Sequence, residues 1–592
     1  VTFSSTINGG YSLSINSGGG TVNFNGAIGN TSSLSALTIN NTSAAIANFN
    51  GATNSISGAF TKQGTGDVNF GANAFNAGSL TLSSGTINNA ADDSGTWTVS
   101  GDVNIGTGTT LKATSGNFSV AGNWTNSATF TAGAGTVTFN STSTAKTITS
   151  GGSSFYNLTF NGVGGGWSPV DALTVANDLT MTAGTLSGTQ NITVSGGDTT
   201  GNGTISLTGG TFLLDGAGSF GGNTNWQFYN LTFGDGSVAT TTTKTGTNQI
   251  TTTNLLTIAA NQTLDASDDT WVLSGSGTPL SIAGTFTANA STFKYTGSLA
   301  TNIIPTTYYN LEALPSANTI TYTLGTAVSQ TITCNGYLTL GNGTNTGIII
   351  TADTWDPILD VNGVLTIAAN TTFVASNTGS FTVAGNWTNS GTFTNSSGTV
   401  TFDGSSAQTI TSGGSNFNNV TFNNSNTNIN YTGDLSIAGN VVLSKNTSIS
   451  STNNTNLSIT GTINGGYTLT INSGTGTNTF AGIIGGTTPI NSLSVSAGAI
   501  NINTTGITVA DVAGNNVSLT GPVVLGANLT INTDKITNDG NVTFSSTING
   551  GYSLTINSGT GTNTFAGIIG GTTPINSLSV SAGAININTT GI

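Results

Sequence analysis

Residues 547–592 read TINGGYSLTINSGTGTNTFAGIIGGTTPINSLSVSAGAININTTGI, and residues 462–507 carry the same text 85 positions earlier, with Thr468 in place of Ser553. Within the later copy, Tyr552-Ser-Leu554-Thr-Ile556 and Leu578-Ser-Val580 alternate apolar and polar residues with period two. That is the pattern of a strand with one buried face. Asn-Gly, Gly-Gly and Ser-Gly pairs bound these runs, and such pairs form turns. Strands of about four to seven residues are expected, close to the usual strand length.

The same text extends outward. Residues 1–16 (VTFSSTINGGYSLSIN) match residues 542–557 apart from Ser14 against Thr555, and a looser echo pairs Phe24 with Phe565 and Leu37 with Leu578. Related modules therefore lie at 1–45, 457–507 and 542–592. A second module type occupies 118–162 and 381–424, with AGNWTN at 121–126 and 384–389, and GTVTF at 135–139 and 398–402. It closes on FYNLTF at 155–160 and FNNVTF at 417–422, with degenerate forms at 228–233 and 308–314. Its shared asparagines, Asn157, Asn230, Asn310 and Asn419, are spaced by 73, 80 and 109, so the module length is elastic. Residues 226–360 form an irregular middle.

Near-identical copies imply duplication, and elastic spacing implies an architecture that tolerates added turns. A solenoid does both, because each coil touches only its neighbours. The reading is one continuous all-β array over residues 1–592, a parallel β-solenoid or β-helix forming an elongated rod. With coils of roughly 20–25 residues, one 85-residue repeat makes about four coils, and the rod is roughly 110–145 Å long. Stacking should set like residue above like, giving Thr and Asn ladders. The alternative is a string of β-sandwich domains of about 100 residues each. No regular spacing of that length and no Cys…Trp…Cys pattern supports it.

Composition agrees. The chain has 592 residues, 5% of them charged, with no His, no Arg, seven Lys, twenty Asp and one Glu, Glu312. Thr, Val, Ile and Phe favour strands while Gly and Asn favour turns, so almost no helix is expected. A net charge of −14 without any basic patch excludes nucleic acid as a partner. No apolar run of about 18 residues predicts a membrane span. The chain begins at Val1 within a repeat, as a mature product or a window on a longer fibre would.

The quoted segments GTVTFNS, AGNWTNSGTF, SGGSNFNNVTF and INGGYSLTIN resemble the repeat regions of large bacterial surface proteins, namely filamentous-haemagglutinin-like adhesins and autotransporter passenger domains. The resemblance spans essentially the whole chain and rests on repeat style. It implies a right-handed parallel β-helix and a role in adhesion, surface display or biofilm outside the cell. It carries no binding or catalytic residue across.

The inventory for chemistry is thin. Without His, the Ser-His-Asp and Cys-His arrangements cannot form, and without Arg the usual clamp for uronate or phosphate is missing. Paired Asp residues could still run glycoside hydrolysis, as in a β-helix polysaccharide-degrading enzyme. The chain is nevertheless read as a non-enzyme, with no catalytic, cofactor-binding or metal-binding residue assigned and no cofactor.

Three Asp clusters sit beside a Trp: Asp92 and Asp93 with Trp97; Asp265, Asp268 and Asp269 with Trp271; and Asp353, Asp356 and Asp360 with Trp355. Carboxylates at such spacing could hold Ca²⁺, but neither a D-x-[DN]-x-[DN]-G loop nor a GGxGxDx repeat is present. They read instead as turn caps before a strand whose Trp covers the core. Cys334, in Thr-Ile-Thr-Cys-Asn, reads as a core filler, and the seven Lys have no constellation around them. Sequons at Asn123, Asn157 and Asn386 and the Thr240–Thr243 run follow from composition.

The expected role is a structural fibre, stalk or filament shaft at the cell surface. Its expected partners are other copies, end to end or laterally, or a surface glycan or protein. An adhesin binding through one face is the alternative, with residues 226–360 the place to look.

Overall fold

The computed structural model describes residues 1–87 and 94–591. Among them all regular structure is β-strand, and there is no helix. Contacts divide the chain into two units, residues 1–275 with 279–291, and residues 276–278 with 292–592. The two units together count about 26 turns of parallel β-solenoid.

Each coil contributes three short strands, one to each of three faces. In the first unit one face stacks Thr2–Phe3, Val22–Phe24, Ile46–Phe49 and Asp67–Asn69, continuing to Thr129–Thr131. A second stacks Leu13 on Leu37, then Phe60, Leu80, Val103 and Trp124. A third stacks Phe75, Trp97, Phe118, Val137, Leu158 and Leu179. Pairing is parallel, each strand bonding the strand one coil before and one coil after. The second unit repeats the plan, with Leu338, Leu365, Trp387 and Ile410 on one face and Leu359, Phe381, Val400 and Val420 on another. The sandwich alternative requires antiparallel sheets and is thereby excluded.

Strand length departs from expectation in both directions: many strands run only two or three residues, as at Val22–Phe24, Trp97–Val99 and Leu435–Ile437, and a few run long. Thr53–Gln63, Asn157–Pro169 and Leu179–Gly188 run for 11, 13 and 10 residues because the chain stays extended through a corner. Each of these strands pairs on two faces, joining the faces into one hydrogen-bonded circuit. This is a stack of coils and not a barrel, because every partner lies a coil away.

Alternation sorts the side chains as the sequence predicts. Inward positions fill a narrow core, and aromatic rings stack within it: Phe3 on Phe24 at 5.2 Å, Phe24 on Phe49 at 4.7 Å and Phe49 on Phe70 at 4.6 Å between centroids. Coil-to-coil stacking of rings adds to the area they bury.

Asparagine and aspartate at the corners act between coils. The side-chain oxygen of Asn157 accepts the N–H of Asp178, Asp178 accepts that of Asp198, and Asp198 that of Ser219, at 3.3, 2.8 and 2.7 Å. In the second unit Asn419 accepts from Asn440, and Asn440 from Thr462. Each bond satisfies a backbone donor at the corner, where the ladder is interrupted. The bonded residues are 20–22 apart in these chains and 28 apart between Asn318 and Thr346, so coil length varies with the turns. This use explains why the sequence is rich in Asn.

The near-identical copies do not repeat their placement. Leu457–Ile459 stacks with Leu435, Asn478, Ile500, Val523 and Ile548. Its counterpart Val542–Phe544 stacks on another face with Leu493, Val517 and Asn563. The 85-residue repeat is therefore not four whole coils. It falls one strand short of four turns, and the second copy lies one face round from the first. The first unit shows the same effect, since Leu158 of one FYNLTF pairs with Leu179 while Leu231 of the other pairs with Phe212 on a different face.

Candidate functional site

The aspartate clusters resolve into structural parts. Asp92 and Asp93 lie outside the described residues, while Trp97 is buried. Asp265 accepts the N–H of Ser267 at 2.9 Å and the amide of Asn289 at 2.5 Å, and Trp271 is buried with its Nε1 donating to the Ala266 carbonyl. Asp356 accepts the Ser376 hydroxyl at 2.8 Å and the Asn377 N–H at 2.7 Å, and Asp360 accepts the Thr382 hydroxyl. Burial opposes ionisation of the Asp356 carboxyl, but the bonds from Ser376, Asn377 and Thr378 together hold it below the usual carboxylate range. Trp355 departs from expectation: it sits on a turn at 37% exposure and does not cover the core. Among the described residues no group of three or more His, Cys, Asp or Glu is placed to hold a metal.

Cys334 is fully buried, and burial pushes its thiol far above the ordinary range. The sequon asparagines are occupied: the Asn123 oxygen accepts the Thr147 N–H at 2.9 Å, and Asn386 does the same for Thr409 at 2.8 Å.

Three lysines do have surroundings, which sequence reading missed; one of them, Lys294, pairs with Glu312 at 3.1 Å. Lys244 lies in the core and pairs with Asp269 at 2.8 Å, also donating to the Thr245 carbonyl. Lys62 is buried without an anion in hydrogen-bond contact; its Nζ donates to the carbonyls of Gln63 and Gly64, both at 2.6 Å. Burial pushes the Lys62 ammonium down to about 8, with Asp67 opposing. The signal was legible in parity, since Lys62 follows Phe60 at the next inward position.

The irregular middle, residues 226–360, is where an adhesive face is expected. Its distinction is polar groups inside: the Tyr295 and Tyr308 hydroxyls meet at 2.7 Å, and Tyr308 donates to the Ile304 carbonyl. Burial pushes both phenols up.

A concavity lies elsewhere in the first unit, at the corner crossed by Asn157–Pro169 and Leu179–Gly188. Asn161 pairs with Ala183 and Gly166 with Thr185, so residues 162–165 stand opposite Gly184 alone and form a bulge. Val163 at its tip is 81% exposed. The chains approach too closely for side chains here: a Cβ on Gly165 would meet the Ser141 carbonyl at 2.1 Å, and one on Gly184, which has φ of 85°, would meet the Trp167 ring at 2.6 Å. Beside the bulge lies a trough of about 610 Å³, bounded by Thr144, Ser168, Thr182, Thr185, Asn202 and Thr204. No protein-family model, no curated protein and no solved structure matches this chain.

Proposed function

We propose that this chain is a shaft segment of an extracellular surface fibre or stalk, bearing load and setting distance without catalysing a reaction. The observation carrying this reading is the direction of the bonding. Strand ladders and corner Asn and Asp bonds both run from coil to coil, so tension along the stack within a unit is shared among many parallel hydrogen bonds. A solenoid of this kind is a mechanical element that lengthens by adding coils. Its repeat style resembles that of filamentous-haemagglutinin-like and autotransporter-passenger proteins, which supports a bacterial surface as its location and further copies as its partners.

The test is to image and stretch the whole chain. Electron micrographs should show rods, and a pull on the two ends should release coils stepwise, each adding about 80 Å of contour. Beads in the images, or extension at negligible force, would sink the reading.

A further inference from the structure

We propose that the corner trough of the first unit binds a short stretch of uncharged carbohydrate. It is a real depression, and its volume of about 610 Å³ falls in the range of ligand pockets. Its walls decide the ligand class. Thr144, Ser168, Thr182, Thr185 and Thr204 present five hydroxyls, and none of these hydroxyls is hydrogen-bonded within the described residues. Asn202 and Ser187 in the same wall are engaged, Asn202 accepting from Asn223 of the next coil and Ser187 donating to the Trp167 carbonyl, so it is the five hydroxyls that are left for a ligand.

No Asp, Glu or Lys borders the trough, so it has no side-chain charge with which to recognise phosphates, uronates or basic peptides. Hydroxyls able to donate and accept match sugar hydroxyls, which do the same. The apolar share of the wall comes from Val163, Ala145 and Ala183, against which the C–H faces of a pyranose ring pack. Beneath them Trp167 lines the floor, buried, with an Nε1 that has no hydrogen-bond partner. Gly165 and Gly184 in the lining have no room for a side chain, because a Cβ there would strike the Ser141 carbonyl or the Trp167 ring. The bulge at 162–165 breaks the register for four residues, and bulges gather at binding sites because they re-aim the chain.

The proposal is independent of the shaft reading, because one chain free in solution would bind the same ligand. Calorimetry on the whole chain is the test, titrating linear tetrasaccharides of β-1,4-glucose, β-1,4-N-acetylglucosamine and α-1,4-glucose, with tetragalacturonate as the charged probe. Saturable binding of at least one neutral probe is expected, with tetragalacturonate at least tenfold weaker. The double variant Thr182→Val/Thr185→Val, which keeps side-chain shape, should weaken binding at least tenfold. Thr98→Val/Thr138→Val, away from the trough, should leave it unchanged. Hydrogen exchange should slow on binding at residues 182–185 and 202–204. Lack of saturable binding by all three neutral probes, equal affinity for the uronate, indifference to the trough variant, or protection elsewhere would each overturn it.

Discussion

The two copies in the second unit, 457–507 and 542–592, are nearly one sequence in two places. In the earlier copy Leu493, Ile500 and Ile502 are buried beneath Val517, Val523 and Leu525 of the following coil. In the later copy the matching Ile585 and Ile587 are 47% and 49% exposed. The strands keep the same internal alternation and pair with the coil before in the same register. Strand formation is thus written in the repeat, whereas burial is a property of the neighbour. A coil is half a core, and the next coil is the other half.

The largest consequence concerns that covering coil. In a polypeptide of residues 1–592, Ile500→Ala should destabilise the second unit by about 3 kcal/mol and Ile585→Ala by under about 1 kcal/mol, measured by denaturant unfolding. Equal losses would break the comparison. The corner bonds predict the opposite, a matched pair. Asn456 accepts the Thr477 N–H at 2.9 Å and its counterpart Asn541 accepts the Thr562 N–H at 2.7 Å. Each Asn→Ala change should cost about 1 kcal/mol, and Asn→Asp, which keeps the accepting oxygen, clearly less.

Acid should separate the copies at one further corner. Asn454 accepts the Thr475 N–H, while its counterpart Asp539 accepts the N–H groups of Lys535 and Thr560 and the Thr560 hydroxyl. The backbone N–H of Lys535, then those of Thr560, hold the Asp539 carboxyl below its ordinary 3.8. A depressed carboxyl contributes its full stabilisation above the ordinary value and loses it as pH falls through the lower, folded one. Amide exchange at Thr560 should therefore accelerate relative to Thr475 below pH 3.8, and Asp539→Asn should abolish the difference. The smallest effect is expected from the largest edit. Excising residues 457–541 joins Asn456 to Val542, which then takes the face vacated by Leu457, and the melting temperature should move by only a few degrees. Loss of cooperative unfolding would show that face identity matters.

These pairs also mark how far the sequence could be read. Period two in Leu554 and Ile556, or Val137 and Phe139, is local, so strands and inward residues were legible. The role of Asn456 was not, because its partner is a coil away and the distance depends on every turn between them. Placement on a face was hidden for the same reason: it counts strands, and identical text reads the same on any face. The trough was invisible because it arises from a register mismatch between two strands, Asn157–Pro169 and Leu179–Gly188, neither of which shows it alone. Trp355 misled because a turn Trp beside Asp looks in sequence like the buried Trp97 and Trp271.

The offset of one face per repeat bears on how such a gene can change. Tyr467 and Tyr552 are the same residue in the two copies, exposed at 37% and 41%, and they stand at corners of different faces. Unequal crossing-over that adds a copy would extend the stack and point its tyrosine toward yet another bearing. Three successive copies would survey the full circumference before a bearing recurred. Length polymorphism in this gene would thus also be a change of outlook, turning a single surface group into a spiral display with no new residue invented.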